Sequence, residues 1–239
     1  MNAPENQRPG TFFNLLAQRQ KSIRSKLCIG LDPDLARIPM RFKASSSPIF
    51  DFNKAIIDAT HDLAACFKPQ IAHYSSEGAE EELLATIEYI KKHNVSVLLD
   101  AKRGDVGSTA EKYACELFKR YGADAITVNP YLGGDSMQPY LDYKNKGVFI
   151  LCRTSNPGGS DLQNIILDGG ETLYQRVARL AKERWNTNNN VGLVVGATRP
   201  NELRQVREIC GEMPFLLPGV GAQGADVKKW LTRGRAGVS

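Results

Sequence analysis

In the segment VLLDAKRGDVGSTA, residues 97–110, two carboxylates and a lysine stand close enough in sequence to act on one ligand. Alternate residues of a strand share a face, so Asp100 and Lys102 point the same way while the small Ala101 points the other. Gly104 and Gly107 allow a tight turn after the strand, which sets Asp105 on the following loop and Ser108 or Thr109 at the N-cap of a helix. The same residues also fit an ordinary strand end with a surface ion pair and a capping box from Ser108 to Glu111. Two further strand ends tip the balance, because Lys68 closes the run FKPQ and Asp32 closes CIGLDP. Two lysines and three carboxylates then meet in one concavity, where charge is costly to desolvate unless alternated in sign and hydrogen bonded. Such a cluster adds little to folding and points to chemistry by preorganised charge.

Two more segments carry ligand-binding signals. LLPGVGAQGAD, 216–226, is a glycine-rich loop between a strand and a helix. Gly219, Gly221 and Gly224 either let backbone amides approach a ligand, where the helix N-terminus favours an anion, or form a simple glycine turn at a strand end. Gln223 is the polar side chain there that can span two parts of a ligand. CRTSNPGGSDLQN, 152–164, holds the turn signals Asn156-Pro157 and Gly158-Gly159 of a mobile lid, or of a plain long surface loop, and Ser155 and Asn156 can hydrogen bond a flat polar ring. His61, His73 and His93 lack metal-ligand spacing, and the five cysteines form no CxxC pair, so no metal site is expected. The methionines and tryptophans read as core filling and the run Asn188 to Asn190 as a solvated turn.

The elements that must position these residues alternate along the chain. Strand-like runs fall at 26–32, 65–69, 95–102, 125–130, 147–154, 191–198 and 215–221, with helical patterns between them and a further one at 11–23. The pattern at 77–92 is typical: Leu83, Leu84, Ile87 and Ile90 form one apolar face, and Glu80, Glu81, Glu88 and Lys91 cover much of the rest. Alternation of this kind predicts a parallel sheet. Asp32, Lys68, Asp100, Lys102, Asn129, Thr154 and Thr198 all stand at C-terminal strand ends. A closed barrel gathers such ends at one mouth, whereas an open sheet uses only its switch point, so the fold expected is an α/β TIM (β/α)8 barrel. Its eighth strand is missing or incomplete in residues 1–239, which otherwise suffice for a single barrel domain. A net charge of +5 with scattered basic residues gives a weak hint of an anionic ligand and a poor case for nucleic acid. The polar start MNAPENQRPG, unpaired cysteines and lack of a long apolar run suggest a cytoplasmic protein with no membrane span.

In order and spacing, GLDP (30–33), FKP (67–69), DAKRGD (100–105) with Thr109, RTSNPG (153–158), VVGAT (194–198) and PGVGAQG (218–224) resemble the orotidine 5'-phosphate decarboxylase family. RTSNPG and VNPYLG are similar to its longer bacterial branch. The resemblance implies a cofactor-free decarboxylation of orotidine 5'-monophosphate (OMP) to uridine 5'-monophosphate (UMP), with Lys102 as proton donor in a charge network of Lys68, Asp100, Lys102 and Asp105. It further implies that Asp32 holds the ribose, Ser155 the pyrimidine amide, and Gln223 pyrimidine and phosphate together. Asp105 and Thr109 would reach into a neighbouring subunit's site, which makes a homodimer with shared active sites. The family's phosphate-clamping arginine follows strand eight, and Arg233 and Arg235 come too early to take its place. Magnesium-dependent sugar-phosphate lyases share D-x-K-x-x-D but place a metal-binding carboxylate where this chain has Lys68, whose ammonium would repel Mg2+.

Overall fold

The computed structural model describes residues 10–219. Seven strands form one wholly parallel sheet in sequential order: β1 (Cys28–Leu31), β2 (Cys66–Pro69), β3 (Ser96–Arg103), β4 (Ala125–Val128), β5 (Gly147–Arg153), β6 (Val191–Val195) and β7 (Phe215–Leu216). Each strand is short and rich in apolar or β-branched residues, as expected where both faces are covered. The principal helices are α1 (Phe12–Ile23), α2 (Pro48–Thr60), α3 (Glu80–Lys92), α4 (Gly107–Cys115), α5 (Gly134–Leu141), α6 (Leu173–Leu180) and α7 (Pro200–Cys210). One of α2–α7 lies between each pair of consecutive strands. Strand, helix and next strand in parallel is the repeating unit of the (β/α) barrel.

Two cores follow from strand alternation. The larger lies between sheet and helices and takes Phe67, Val97, Leu99, Ile126, Val128, Ile150 and Leu193 from the strands, with Leu83, Ile87 and Ile90 of α3 packed on them. The smaller joins Cys66, Leu98, Ala125, Phe149 and Val194, one residue from each of β2 to β6, to Phe12 of α1. Strands spaced about 4.8 Å apart would hold the outer members of a flat five-strand row roughly 19 Å from each other. In a curled sheet these residues instead face a common interior, the arrangement of a barrel wall. Phe12 and Phe13 close the base of this interior, edge-on to Phe149, and Phe12 lies against Gly147, where any side chain would collide with its ring.

Several expectations shift in detail. Helix α4 starts at Gly107, with Val106 as its N-cap and a positive φ of 54° at Gly107, so Ser108 and Glu111 form no capping box. Asn190 is buried, not solvated, and its Nδ2 donates to the carbonyls of Leu141 and Tyr143. Met137 and Met213 are buried as expected, but Met40 is exposed. The expected eighth strand, the helix at 224–232, Gly221, Gln223, Gly224, Arg233 and Arg235 lie outside the described residues. Among the described residues β1 pairs only with β2, and β7 only with β6.

Candidate active site

Counting two residues along each strand from the interior core leads directly to the polar layer above it. Cys66 is followed by Lys68, Leu98 by Asp100 and Ala125 by Thr127, so the period of two that buries one layer lifts these three groups towards the mouth. There they meet. Asp100 Oδ2 is 3.3 Å from Lys68 Nζ, Asp100 Oδ1 is 2.7 Å from Lys102 Nζ, and Lys68 Nζ lies 3.8 Å from Asp32 Oδ1. The signs alternate along Asp32, Lys68, Asp100 and Lys102, with Asp32 at the place in the chain of charges where the resemblance implies Asp105.

Burial and charge set the state of these groups. The side chains of Asp100 and Lys68 are only 10% and 16% exposed, whereas that of Lys102 is 45% exposed and faces the open mouth. Burial works against ionisation of Asp100, but the charges of Lys68 and Lys102, with hydrogen bonds from Lys102 and Thr127, outweigh it and hold the carboxyl below its usual range. Burial likewise opposes the charge of Lys68, and the nearby Asp100 and Asp32 overcome it, so its ammonium is kept above the usual lysine range. The centre of the site is therefore a carboxylate between two ammonium groups.

Lys102 does not continue the regular strand. Its φ is +46°, in the left-handed region, and the β3–β4 register shifts between Leu99 and Arg103. The Thr127 hydroxyl bridges this irregularity: it accepts from the amides of Ala101 (3.1 Å) and Lys102 (2.9 Å) and donates to Asp100 Oδ1 (2.7 Å). Sequence reading overlooked Thr127, although a lone hydroxyl in the apolar run AITV was a signal for it.

The opposite side of the mouth is formed by the loop after β5. Arg153 ends that strand fully buried, and its guanidinium donates to the Thr154 carbonyl and Gln163 Oε1 (both 2.9 Å) and to Ser160 Oγ (3.2 Å). Glu202 of α7 approaches it at 4.0 Å. Gln163 Oε1 also accepts from the Thr154 amide at 2.9 Å, so residues 154–163 form a closed ring of hydrogen bonds. Ser155 lies over the end of β6, where a Cβ on Gly196 would come within 2.9 Å of the Ser155 Cα. The glycine of VVGAT thus admits the loop to the mouth. The anchoring role of Arg153 was also missed, its signal being a charge at the end of the apolar run GVFILC.

Not every expected residue joins the network. Asp105 Oδ1 accepts from the amide of its neighbour Val106 at 2.8 Å, and among the described residues Asp105 is in none of the site's ion pairs. Thr109 is exposed in the first turn of α4. Lys102, Asp100, Lys68 and Asp32 are together, and Ser155 lies across the mouth from them. Among the described residues no group of His, Cys, Asp and Glu is placed to hold a metal ion, and no helix is long and apolar enough to cross a membrane.

Known proteins are similar to this chain in sequence and fold. The family model described as "Orotidine 5'-phosphate decarboxylase / HUMPS family" matches residues 25–234. Orotidine 5'-phosphate decarboxylase of Azoarcus sp. (strain BH72) is 58% identical over 226 residues, covering 94% of this chain and 83% of that protein. The solved Leishmania donovani OMP decarboxylase is similar with a TM-score of 0.79 at 43% identity, over 87% of this chain and 80% of that one. Leishmania donovani UMP synthase gives 0.85 at 43% identity over 94% of this chain, which spans about half (48%) of that longer protein. Together with the parallel sheet, these likenesses make the chain a (β/α)-barrel lyase. More narrowly, the chain belongs to the orotidine 5'-phosphate decarboxylase / HUMPS family.

Proposed function

We propose that this chain, as a single barrel domain, decarboxylates OMP to UMP and CO2 in the last step of de novo UMP synthesis, using neither cofactor nor metal and taking Lys102 as proton donor. The observation that carries this reading is the contact of Lys102 Nζ with Asp100 Oδ1 at 2.7 Å, with Lys68 on the carboxylate's other oxygen. When the C6–CO2 bond breaks, its electron pair stays at C6 in an orbital orthogonal to the ring π system, so the ring offers no simple electron sink. Fixed charge has to serve instead. The Lys102 ammonium faces the growing negative charge and transfers a proton to C6, and the resulting amine regains a proton from solvent. Asp100 keeps Lys102 in place and, set against the substrate carboxylate, adds a repulsion that departs with CO2. Enzymes at the upper end of rate enhancement supply about 20 kcal/mol or more, so gripping the remote phosphate and ribose also has to contribute.

The remaining roles follow the family. Asp32 takes the ribose, Ser155 the pyrimidine amide, Gln223 the pyrimidine and phosphate, and the amides at Gly221 and Gly224 the phosphate. Asp105 and Thr109 complete the site of a partner subunit in a homodimer, and the enzyme works in the cytoplasm. Among the described residues the Asp105 side chain is bonded only within its own loop, through Oδ1, which supports a role for its second oxygen towards such a partner. Lys68 supports metal independence, because an ammonium in that place repels a divalent cation. Steady-state OMP consumption with and without EDTA tests the reading; turnover is expected to be equal, and a strict Mg2+ requirement overturns it. Mixing Lys102→Ala with Asp105→Ala subunits tests the shared site. Random exchange should restore about one quarter of the parent activity. Confirmed exchange with no recovery would place Asp105 in its own chain's site.

A further inference from the structure

We infer that Thr127 is a positioning residue for the reaction: its hydroxyl holds the β3 irregularity at Ala101 and Lys102 and thereby aims the Lys102 ammonium along Asp100. The inference rests on the proposed role of Lys102 as proton donor. A threonine hydroxyl has two acceptor lone pairs and one proton to donate. Both lone pairs of Thr127 are engaged, by the amides of Ala101 at 3.1 Å and Lys102 at 2.9 Å. Its proton is therefore left for Asp100 Oδ1 at 2.7 Å, and the direction of that bond is determined by valence alone. Every bond the hydroxyl can make is made, and each ends on a neighbour of the reacting centre.

The geometry explains why a hydroxyl is needed at this place. Regular pairing joins Leu98 to Ala125 and Leu99 to Ile126, and resumes only at Arg103 with Val128. Between these points β3 has more residues than β4 can pair, and Lys102 takes a φ of +46°, which a side-chain-bearing residue rarely adopts. The two amides released by this shift would be unpaired next to a buried carboxylate, and the Thr127 oxygen satisfies both. Asp100 Oδ1 then accepts from Thr127 and Lys102 Nζ, while Oδ2 faces Lys68. The carboxylate cannot rotate about its axis without losing a partner on each side. Lys102, whose side chain is 45% exposed, thus has its backbone and its ammonium tied through a single hydroxyl.

Thr127→Val keeps the β-branched shape and removes the hydroxyl, and Thr127→Ser keeps the hydroxyl. In steady-state OMP turnover, Thr127→Val should lower kcat at least about tenfold while KM changes less than about threefold, and Thr127→Ser should recover most of kcat. The acid limb of the kcat–pH profile should move to higher pH in Thr127→Val, because Asp100 loses a donor to its charged form. A purely structural role would lower folding stability without moving that limb or separating kcat from KM. Thr127→Val with kcat within twofold of the parent, or Thr127→Ser as impaired as Thr127→Val, overturns the inference. Should Thr127→Val not fold, hydrogen exchange at the Ala101 and Lys102 amides of the parent decides. Protection of both supports the inference, and exchange as fast as in exposed loops overturns it. An inactive parent would overturn the reading of the site and this inference with it, whereas an active parent with an indifferent Thr127 overturns this inference alone.

Discussion

On one side of the mouth, at the ends of β2, β3 and β4, Lys68, Asp100, Lys102 and Thr127 are linked by contacts of 2.7–3.3 Å. On the other side, after β5, the buried Arg153 binds a carbonyl, an amide oxygen and a hydroxyl and has one carboxylate at 4.0 Å. The first group is placed by strand register and held by opposite charges. The second is a loop, placed by one cation satisfied mainly by neutral acceptors. Charge pairing lets the first side respond electrostatically, while the Arg153 ring fixes a shape and leaves Ser155 free for the ligand role proposed for it. Substitutions on the two sides should therefore fail in different ways.

The largest effect is expected from Lys102→Ala, which should lower kcat at least about a thousandfold, roughly 4 kcal/mol in barrier, and leave UMP binding by calorimetry within about threefold. A loss below tenfold would remove Lys102 from the centre of the chemistry. Arg153→Met should act on stability first, costing about 2–4 kcal/mol in denaturant unfolding because Gln163, Ser160 and Thr154 lose their common donor. Its KM for OMP should rise more than its kcat falls, and the reverse order would erase the contrast between the two sides. Gly196→Ala brings a methyl against the Ser155 backbone and should lower kcat/KM about tenfold with less than about 1.5 kcal/mol lost in stability. Full activity would mean that the loop can move away without consequence.

The smallest effect concerns pH. Asp100 has a folded pKa below its usual 3.8, so its stabilising contribution is present above that value and is lost as pH falls through the lowered one. Lys68 has a folded pKa above its usual 10.5, so its contribution is present below 10.5 and is lost as pH rises through the raised one. The stability gap between parent and Asp100→Asn should accordingly narrow below about pH 4, while the gap for Arg153→Met stays level between about pH 5 and 9. Matching profiles for both variants would contradict the electrostatic account of the β3 side.

Sequence alone placed the seven strands and the helices between them to within a few residues, because apolar periodicity and glycine punctuation are local signals. Lys68, Asp100 and Lys102 were legible for the same reason, as charges at the ends of apolar strands. Thr127 and Arg153 were not, since each derives its role from partners on another strand or from a loop folded back on it. The α4 capping box failed because the N-cap is Val106, two residues before Ser108, with Gly107 taking the positive φ that starts the helix earlier. Asn190 misled because an asparagine run reads as solvated, while its carbonyl partners lie some 50 positions earlier, at Leu141 and Tyr143.

The aromatic plug at the base of the barrel bears on biosynthesis. Phe12 packs on Gly147 and Phe149, and its amide donates to the Asn145 carbonyl. During translation α1 emerges before β5, so its contact with Gly147 and Phe149 waits for roughly 135 residues, at about 5–20 residues per second some 7–27 s. For that interval Phe12 and Phe13 lack the β5 part of the surface that covers them. Nascent chains stalled before β5 should therefore engage holdase chaperones through this first helix, and chains stalled well past β5 should release them.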